Sequence, residues 1–87
     1  MSLYRRNTNL YWAPLDNELL LFHQEDLEYY RLNDTGALIW DFLDEPKSLE
    51  EIASMLLGRF AVKDEECRRA LTEFVESLVD TRLLVRD

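Results

Sequence analysis

The period of the hydrophobic pattern changes near Asn33, and no other sequence feature constrains the fold as strongly. Before Asn33, short apolar segments bounded by turn residues are typical of strands. After it, apolar residues recur at helical spacing. Strands followed by helices within 87 residues predict a single α+β domain, residues 1–87. We expect residues 1–9 to be flexible.

Three strands are predicted, and their short connections favour antiparallel pairing into a meander. Pro14 is expected to end the first strand, because proline cannot donate to a central ladder. In the third strand, Tyr30 and Leu32 would share one face while Tyr29 and Arg31 occupy the other. The predicted bounds are residues 10–13, 18–23 and 27–32.

Helix signals follow the predicted sheet. Asn33 or Asp34 can cap a first helix, and Pro46 closes that helix. Ser48 and Glu51 have the spacing of a capping box, in which each residue satisfies a backbone N–H of the other. A second helix is therefore predicted to begin directly after Ser48.

A third helix is expected to begin with Asp64 as its cap, and the apolar tail at residues 83–85 is expected to dock on the core. The complete arrangement is a three-stranded antiparallel sheet followed by three helices. This order is typical of a winged helix-turn-helix-like fold.

Charge and composition exclude several classes of partner. The formal net charge is -8, whereas a nucleic-acid-binding surface needs basic residues to replace counterions along the phosphates. No apolar run approaches the roughly 18 residues that span a membrane, and no signal peptide is recognisable. Cys67 is the single cysteine and cannot form an intramolecular disulfide. We expect a cytoplasmic protein with neither nucleic acid nor membrane as partner.

Few residues are candidates for catalysis or metal binding. Residues 50–51 and 64–66 are acidic, but each group lies in the first turn of a predicted helix, where the macrodipole favours negative charge. Cys67 could act with His23 as its base, yet Cys67 is in phase with the apolar stripe of its helix. No Gly-rich turn or oxyanion donor accompanies it. We expect no enzyme activity, no catalytic residue, no metal site and no cofactor.

Two elements remain as candidate binding surfaces. The outer edge of the third strand could accept an added peptide strand, because edge strands carry unpaired N–H and C=O groups. On the third helix, Val75 and Val79 widen the apolar stripe beside Arg68. Two interpretations stay open: these valines form one wall of a peptide groove, or they cover the tail at residues 83–85.

Residues 29–40 read YYRLNDTGALIW, a segment that resembles the strand-to-helix signature of the PqqD-like family. The resemblance continues through residues 48–53 (SLEEIA) and 74–79 (FVESLV), and it covers residues 18–85. Two departures lie in turns. Asp44-Glu-Pro-Lys47 stands where the family often has Asp-Gly, and Thr81-Arg82-Leu83 stands where a glycine is common.

This resemblance implies a recognition element for ribosomally made, post-translationally modified peptides. It implies that a precursor leader peptide adds as a strand beside the third strand and against the third helix. The bound peptide would then be presented to a modifying enzyme or a cysteine-type leader peptidase, with no cofactor. The lasso-peptide type is favoured over the pyrroloquinoline-quinone chaperone type. The implied leader-binding residues are Leu27, Glu28, Tyr29, Tyr30, Arg31, Leu32, Arg68, Leu71, Val75 and Val79.

An alternative from a different class is a winged-helix transcriptional regulator, or an interaction subunit that dimerises through its sheet edge. A basic surface would favour the regulator, and an apparent mass that depends on concentration would favour the dimerising subunit. For the adaptor we expect a monomer or a weak dimer.

Overall fold

The computed structural model describes residues 2–87, and within them the chain forms five strands and three helices. The strands precede the helices except for the last one, which follows the third helix. The elements in chain order are β1 (Tyr4–Arg6), β2 (Leu10–Leu15), β3 (Glu18–His23), β4 (Glu28–Leu32), α1 (Asp34–Phe42), α2 (Leu49–Arg59), α3 (Asp64–Asp80) and β5 (Leu84–Arg86).

The main sheet is the antiparallel meander β2-β3-β4 that the sequence predicts. The prediction that Pro14 ends the first strand is wrong, since Pro14 pairs with Leu19 inside β2. An edge strand tolerates proline, because the missing N–H would face away from the ladder. Leu27 also falls outside its predicted strand: its φ of 56° places it in the left-handed region, in the turn before β4.

Local capping chemistry sets where two of the helices begin. The Asn33 side chain accepts a hydrogen bond from the Gly36 N–H at 2.9 Å, so Asn33 rather than Asp34 caps α1. The capping box at α2 is confirmed, with Ser48 and Glu51 bonded in both directions. Asp64 does not cap α3; it is the first helical residue, and no side chain caps that end.

A second, two-stranded sheet pairs β1 with β5 and was not predicted. The apolar tail does dock on the core as expected, because Leu83 and Leu84 are buried. Tyr4 is also buried, and its backbone bonds to Lys47 in both directions. The two ends of the chain therefore form one small sheet that covers the helical side of the core.

The core lies between the inner face of the main sheet and the three helices. Along β3 the buried residues alternate, with Leu19, Leu21 and His23 facing inward. Ile39 and Trp40 of α1 close the layer from the helical side. No helix in residues 2–87 is both long and apolar enough to span a membrane.

Candidate functional site

The outer edge of β4 is free in the described part of the chain. β4 is the last strand of the β2-β3-β4 sheet and pairs only with β3 there. On its inner side it packs against α1. An edge of this kind can accept a further strand through main-chain hydrogen bonds alone.

The side chains of β4 alternate as the sequence predicts. Leu32 is buried and Tyr30 half-buried on the helical face, while Tyr29 and Arg31 are exposed on the opposite face. There the Tyr29 ring lies 4.9 Å from that of Phe22. Tyr29 and Arg31 therefore do not face α3, and a groove between them and the third helix is not what the chain forms.

The inner end of β4 meets α3 at Gly36. A methyl group placed on Gly36 would lie 3.0 Å from Leu32 Cβ and 3.1 Å from Phe74 Cζ. These distances show that Phe74 of α3 packs over the junction between β4 and α1. The flank of α3 that carries Phe74 is thus the flank that faces the edge strand.

An apolar cavity of about 510 Å³ continues from this junction, between the start of α1, the end of α2 and the first half of α3. Phe60 and Val62, large apolar side chains exposed by 41% and 51%, form its outer wall. We call the space between the free edge of β4 and this flank of α3 the β4 groove. The α3 residues that line the cavity end of the groove include Cys67, Ala70 and Phe74.

Of the α3 residues expected from the sequence, Leu71 lines the cavity and the other three do not. Val75 has no exposed surface and Leu71 is buried, so both belong to the core. Since α3 also packs against β5, the structure supports the second of the two interpretations, in which this stripe covers the tail. Val79 also packs against the core, and Val75 and Val79 are absent from the cavity lining. Val75 is thus a core residue, and its predicted part in leader binding stays a prediction.

Arg68 is engaged at the start of α2. Its guanidinium donates to Glu50 at 3.0 Å and also pairs with Asp64. The hydrogen bond to Glu50 is the main reason that the pKa of Arg68 is raised and that of Glu50 lowered. Arg68 therefore joins the starts of α2 and α3 and is not a lining residue of the cavity.

The opposite end of the β4 groove is closed by polar contacts. Arg82, after α3, pairs with Asp26 in the turn before β4 and lies 3.7 Å from Glu25. At the start of β4, the Tyr30 hydroxyl donates to Glu28 at 3.2 Å. Desolvation and this hydrogen bond both raise the pKa of Tyr30. The groove is thus polar near β4's first residues and apolar beyond its last.

Cys67 and His23, weighed as a catalytic pair and set aside in the sequence analysis, lie in different parts of the fold. Cys67 is half-buried at the cavity, whereas His23 is buried beside Asp26, at the other end of the β4 groove. Among residues 2–87, no three His, Cys, Asp or Glu side chains are grouped to hold a metal ion.

Comparison with known proteins decides the family. Residues 18–84, most of the chain, match the family described as coenzyme PQQ synthesis protein D (PqqD). The chain belongs to the PqqD family. The identification from residues 29–40 is thereby confirmed. No curated protein sequence matches the chain.

Two solved structures resemble this PqqD-family chain over nearly its whole length. TbiB1 in complex with the TbiA(beta) leader peptide aligns with a TM-score of 0.85 and 29% identity, covering 92% of this chain and 93% of that one. Lasso peptide synthetase B1, complexed with the leader peptide, aligns at 0.77 and 26%, covering 94% and 96%. The predicted α+β class, with three antiparallel strands and three helices, is confirmed.

Proposed function

We propose that this PqqD-family protein is a non-catalytic adaptor that binds the leader of a ribosomally made precursor peptide. The leader adds as a strand to the free edge of β4, Glu28–Leu32. The observation that carries the proposal is an unpaired strand edge that leads directly into an apolar cavity of about 510 Å³. The two similar structures, both complexes with leader peptides, support it.

The two parts of the β4 groove would contribute differently to binding. Main-chain hydrogen bonds to β4 orient the peptide but do not distinguish sequences. The cavity selects an apolar side chain, since burial of such a group contributes roughly 1.5–3 kcal/mol. Sequence selectivity therefore comes from the cavity, where Ala70 and Phe74 line the α3 side.

The adaptor would act by raising local concentration. A leader held on β4 makes the encounter between the core peptide and a modifying enzyme or cysteine-type leader peptidase effectively intramolecular. Lasso-peptide maturation is the favoured pathway, because a similar structure is a lasso peptide synthetase B1. The cytoplasm remains the expected compartment.

The decisive experiment is a fluorescence-anisotropy titration with a labelled leader peptide from a precursor encoded beside this gene. A scrambled leader and a random DNA duplex serve as controls. Saturable binding to the leader alone is expected. Binding to the duplex without binding to the leader would favour the winged-helix regulator, and binding to none of the three would reject the adaptor for this precursor.

A matched pair of variants tests the position of the groove. Ala70→Glu places a carboxylate at the cavity, whereas Thr72→Glu places the same group on the far side of the same helix. Both residues are exposed, so both variants should fold. We expect Ala70→Glu to weaken leader binding at least tenfold, about 1.4 kcal/mol, and Thr72→Glu to leave it unchanged. Equal effects would place the peptide elsewhere.

A further inference from the structure

The single histidine of the chain is one of two buried polar residues among residues 2–87, the other being Ser48. His23 has no exposed surface. Its Nδ1 accepts a hydrogen bond from the Asp26 N–H at 3.4 Å, so the ring proton lies on Nε2. That Nε2 finds no hydrogen-bond partner among the described residues. A buried donor without a partner costs roughly 1–3 kcal/mol, which an apolar residue at this position would not lose.

The hydrogen bond from Asp26 connects His23 to the turn that starts β4. In this turn Leu27 donates to the His23 carbonyl at 2.8 Å and adopts a φ of 56°. A leucine in the left-handed region is strained and needs its surroundings to hold it. His23 helps to hold this turn: its carbonyl accepts from the Leu27 N–H, and its buried ring accepts from the Asp26 N–H.

The same turn is tied to the end of α3. The Asp26 carboxylate pairs with Arg82, whose own φ is 63°. The Arg82 carbonyl accepts from the Asn7 side chain at 2.8 Å. Both walls of the β4 groove, the edge strand and the end of α3, therefore meet at Asp26. Its N–H is held by His23 and its carboxylate by Arg82.

We propose that neutral His23 is a positioning residue for leader binding, and that its protonation weakens the leader complex. The inference rests on the proposed function. The imidazole ring is fully buried, so it would act on a bound peptide through the Asp26 turn and not by direct contact. Histidine is the side chain whose charge ordinarily changes between about pH 5 and 8.

Protonation adds a proton to Nδ1, the atom that accepts from Asp26. The imidazolium can no longer accept that hydrogen bond and instead attracts the Asp26 carboxylate, whose Oδ2 lies 3.9 Å away. Asp26 would then turn from Arg82 towards His23, and both walls of the groove would lose a fixed contact. Leu10, opposite His23 on β2, is apolar. The charged groups around His23 are Glu25 and Asp26 in the turn, Glu28 opposite it on β4, and Arg82 after α3.

The test compares leader affinity at about pH 7.5 and about pH 5.5 in the wild type and in His23→Asn. The Asn Oδ1 can take the place of Nδ1 as acceptor, but the amide does not titrate. We expect the wild type to lose about tenfold in affinity on acidification, and His23→Asn to change less than twofold. Circular dichroism at both pH values checks that each protein stays folded.

A second measurement needs no leader and no variant. In ¹⁵N-labelled wild-type protein, the amide shifts of Asp26, Leu27 and Arg82 should follow the titration of the His23 ring, while amides of α2 should not. Leader binding at about pH 7.5 with parallel pH profiles for wild type and His23→Asn would overturn this inference and leave the adaptor standing. The inference would also be overturned if the amide shifts of these three residues did not change with pH as the His23 ring signals do. Failure of the leader to bind at either pH would instead reject the adaptor.

Discussion

At the scale of single residues, the β4 groove depends on a position where no side chain fits. Gly36 lies in the first turn of α1, and its missing Cβ leaves room for the Phe74 ring against Leu32. The backbone of Gly36 does not adopt a positive φ. Glycine is therefore needed at this position for close packing rather than for conformation.

Replacing Gly36 by alanine should destabilise the protein although alanine is the better helix former. The Leu32 Cβ, 3.0 Å away, is next to the backbone and cannot yield easily, so crowding outweighs the gain in helix propensity. We expect a loss of about 1–2 kcal/mol in the free energy of unfolding, measured by urea denaturation. Because Phe74 must move, leader affinity should fall as well.

Gly58 provides the control for this substitution. A methyl group there would meet nothing within 4 Å, and the residue lies inside α2. Gly58→Ala should therefore stabilise the fold by about 0.5–1 kcal/mol and leave leader binding unchanged. Opposite signs for the two variants are the expected outcome; equal signs would mean that Phe74 does not pack against Gly36.

At the scale of elements, one side of α3 packs in the core and an adjoining flank lines the cavity. Leu71, Val75 and Leu78 are buried, and their stripe joins the helix to the core. Cys67, Ala70 and Phe74 lie on the flank that lines the cavity. A substitution at Val75 consequently tests the fold, while one at Ala70 tests the groove.

The start of α2 depends on its capping box. Ser48 is buried, and it accepts from the Glu51 N–H while the Glu51 side chain accepts from the Ser48 N–H. Ser48→Ala should lower the free energy of unfolding by about 1 kcal/mol. Ser54→Ala, an exposed position in the same helix, should raise it by a few tenths at most, about 0.3 kcal/mol. The free energies of unfolding of the two variants are measured by chemical denaturation. A similar loss in both would mean that the cap at Ser48 does not stabilise α2.

At the scale of the whole molecule, the N-terminal segment is held to the helices by Arg6. Its guanidinium lies 5.1 Å from the Trp12 ring and 5.2 Å from the Trp40 ring, and its Nε donates to the Trp40 carbonyl at 3.0 Å. Desolvation lowers the pKa of Arg6, against the opposing effect of Asp41 and Asp44. This one side chain links β1, β2 and the end of α1.

Arg6→Ala should therefore loosen the association of β1 with the rest of the fold. Loss of the cation–π contacts and of the bonds to Trp40 should cost about 1–3 kcal/mol. Arg5→Ala is the matched control on the same strand, where Arg5 only approaches the exposed carboxylate of Asp87 at 3.4 Å. Hydrogen exchange should report faster opening of β1 and β5 in the first variant alone; similar exchange in both would deny Arg6 this role.

The sequence by itself determined the features that depend on neighbouring residues. Alternation along β4 put Leu32 and Tyr29 on opposite faces, and capping chemistry located the start of α1 at Asn33 or Asp34 and that of α2 directly after Ser48. Segment order and the short connections between strands predicted the antiparallel meander and left β4 at its edge. These are local rules, and local sequence is sufficient to apply them.

Only the tertiary structure decided which surfaces face each other. An apolar stripe on a helix has two flanks. The sequence of α3 alone does not determine that the flank with Phe74, and not the one with Val79, lies towards β4. The pairing of β1 with β5 likewise joins segments from the two ends of the chain, each too short to be recognised alone. Such choices depend on long-range packing, in which residues far apart in sequence select each other by fit.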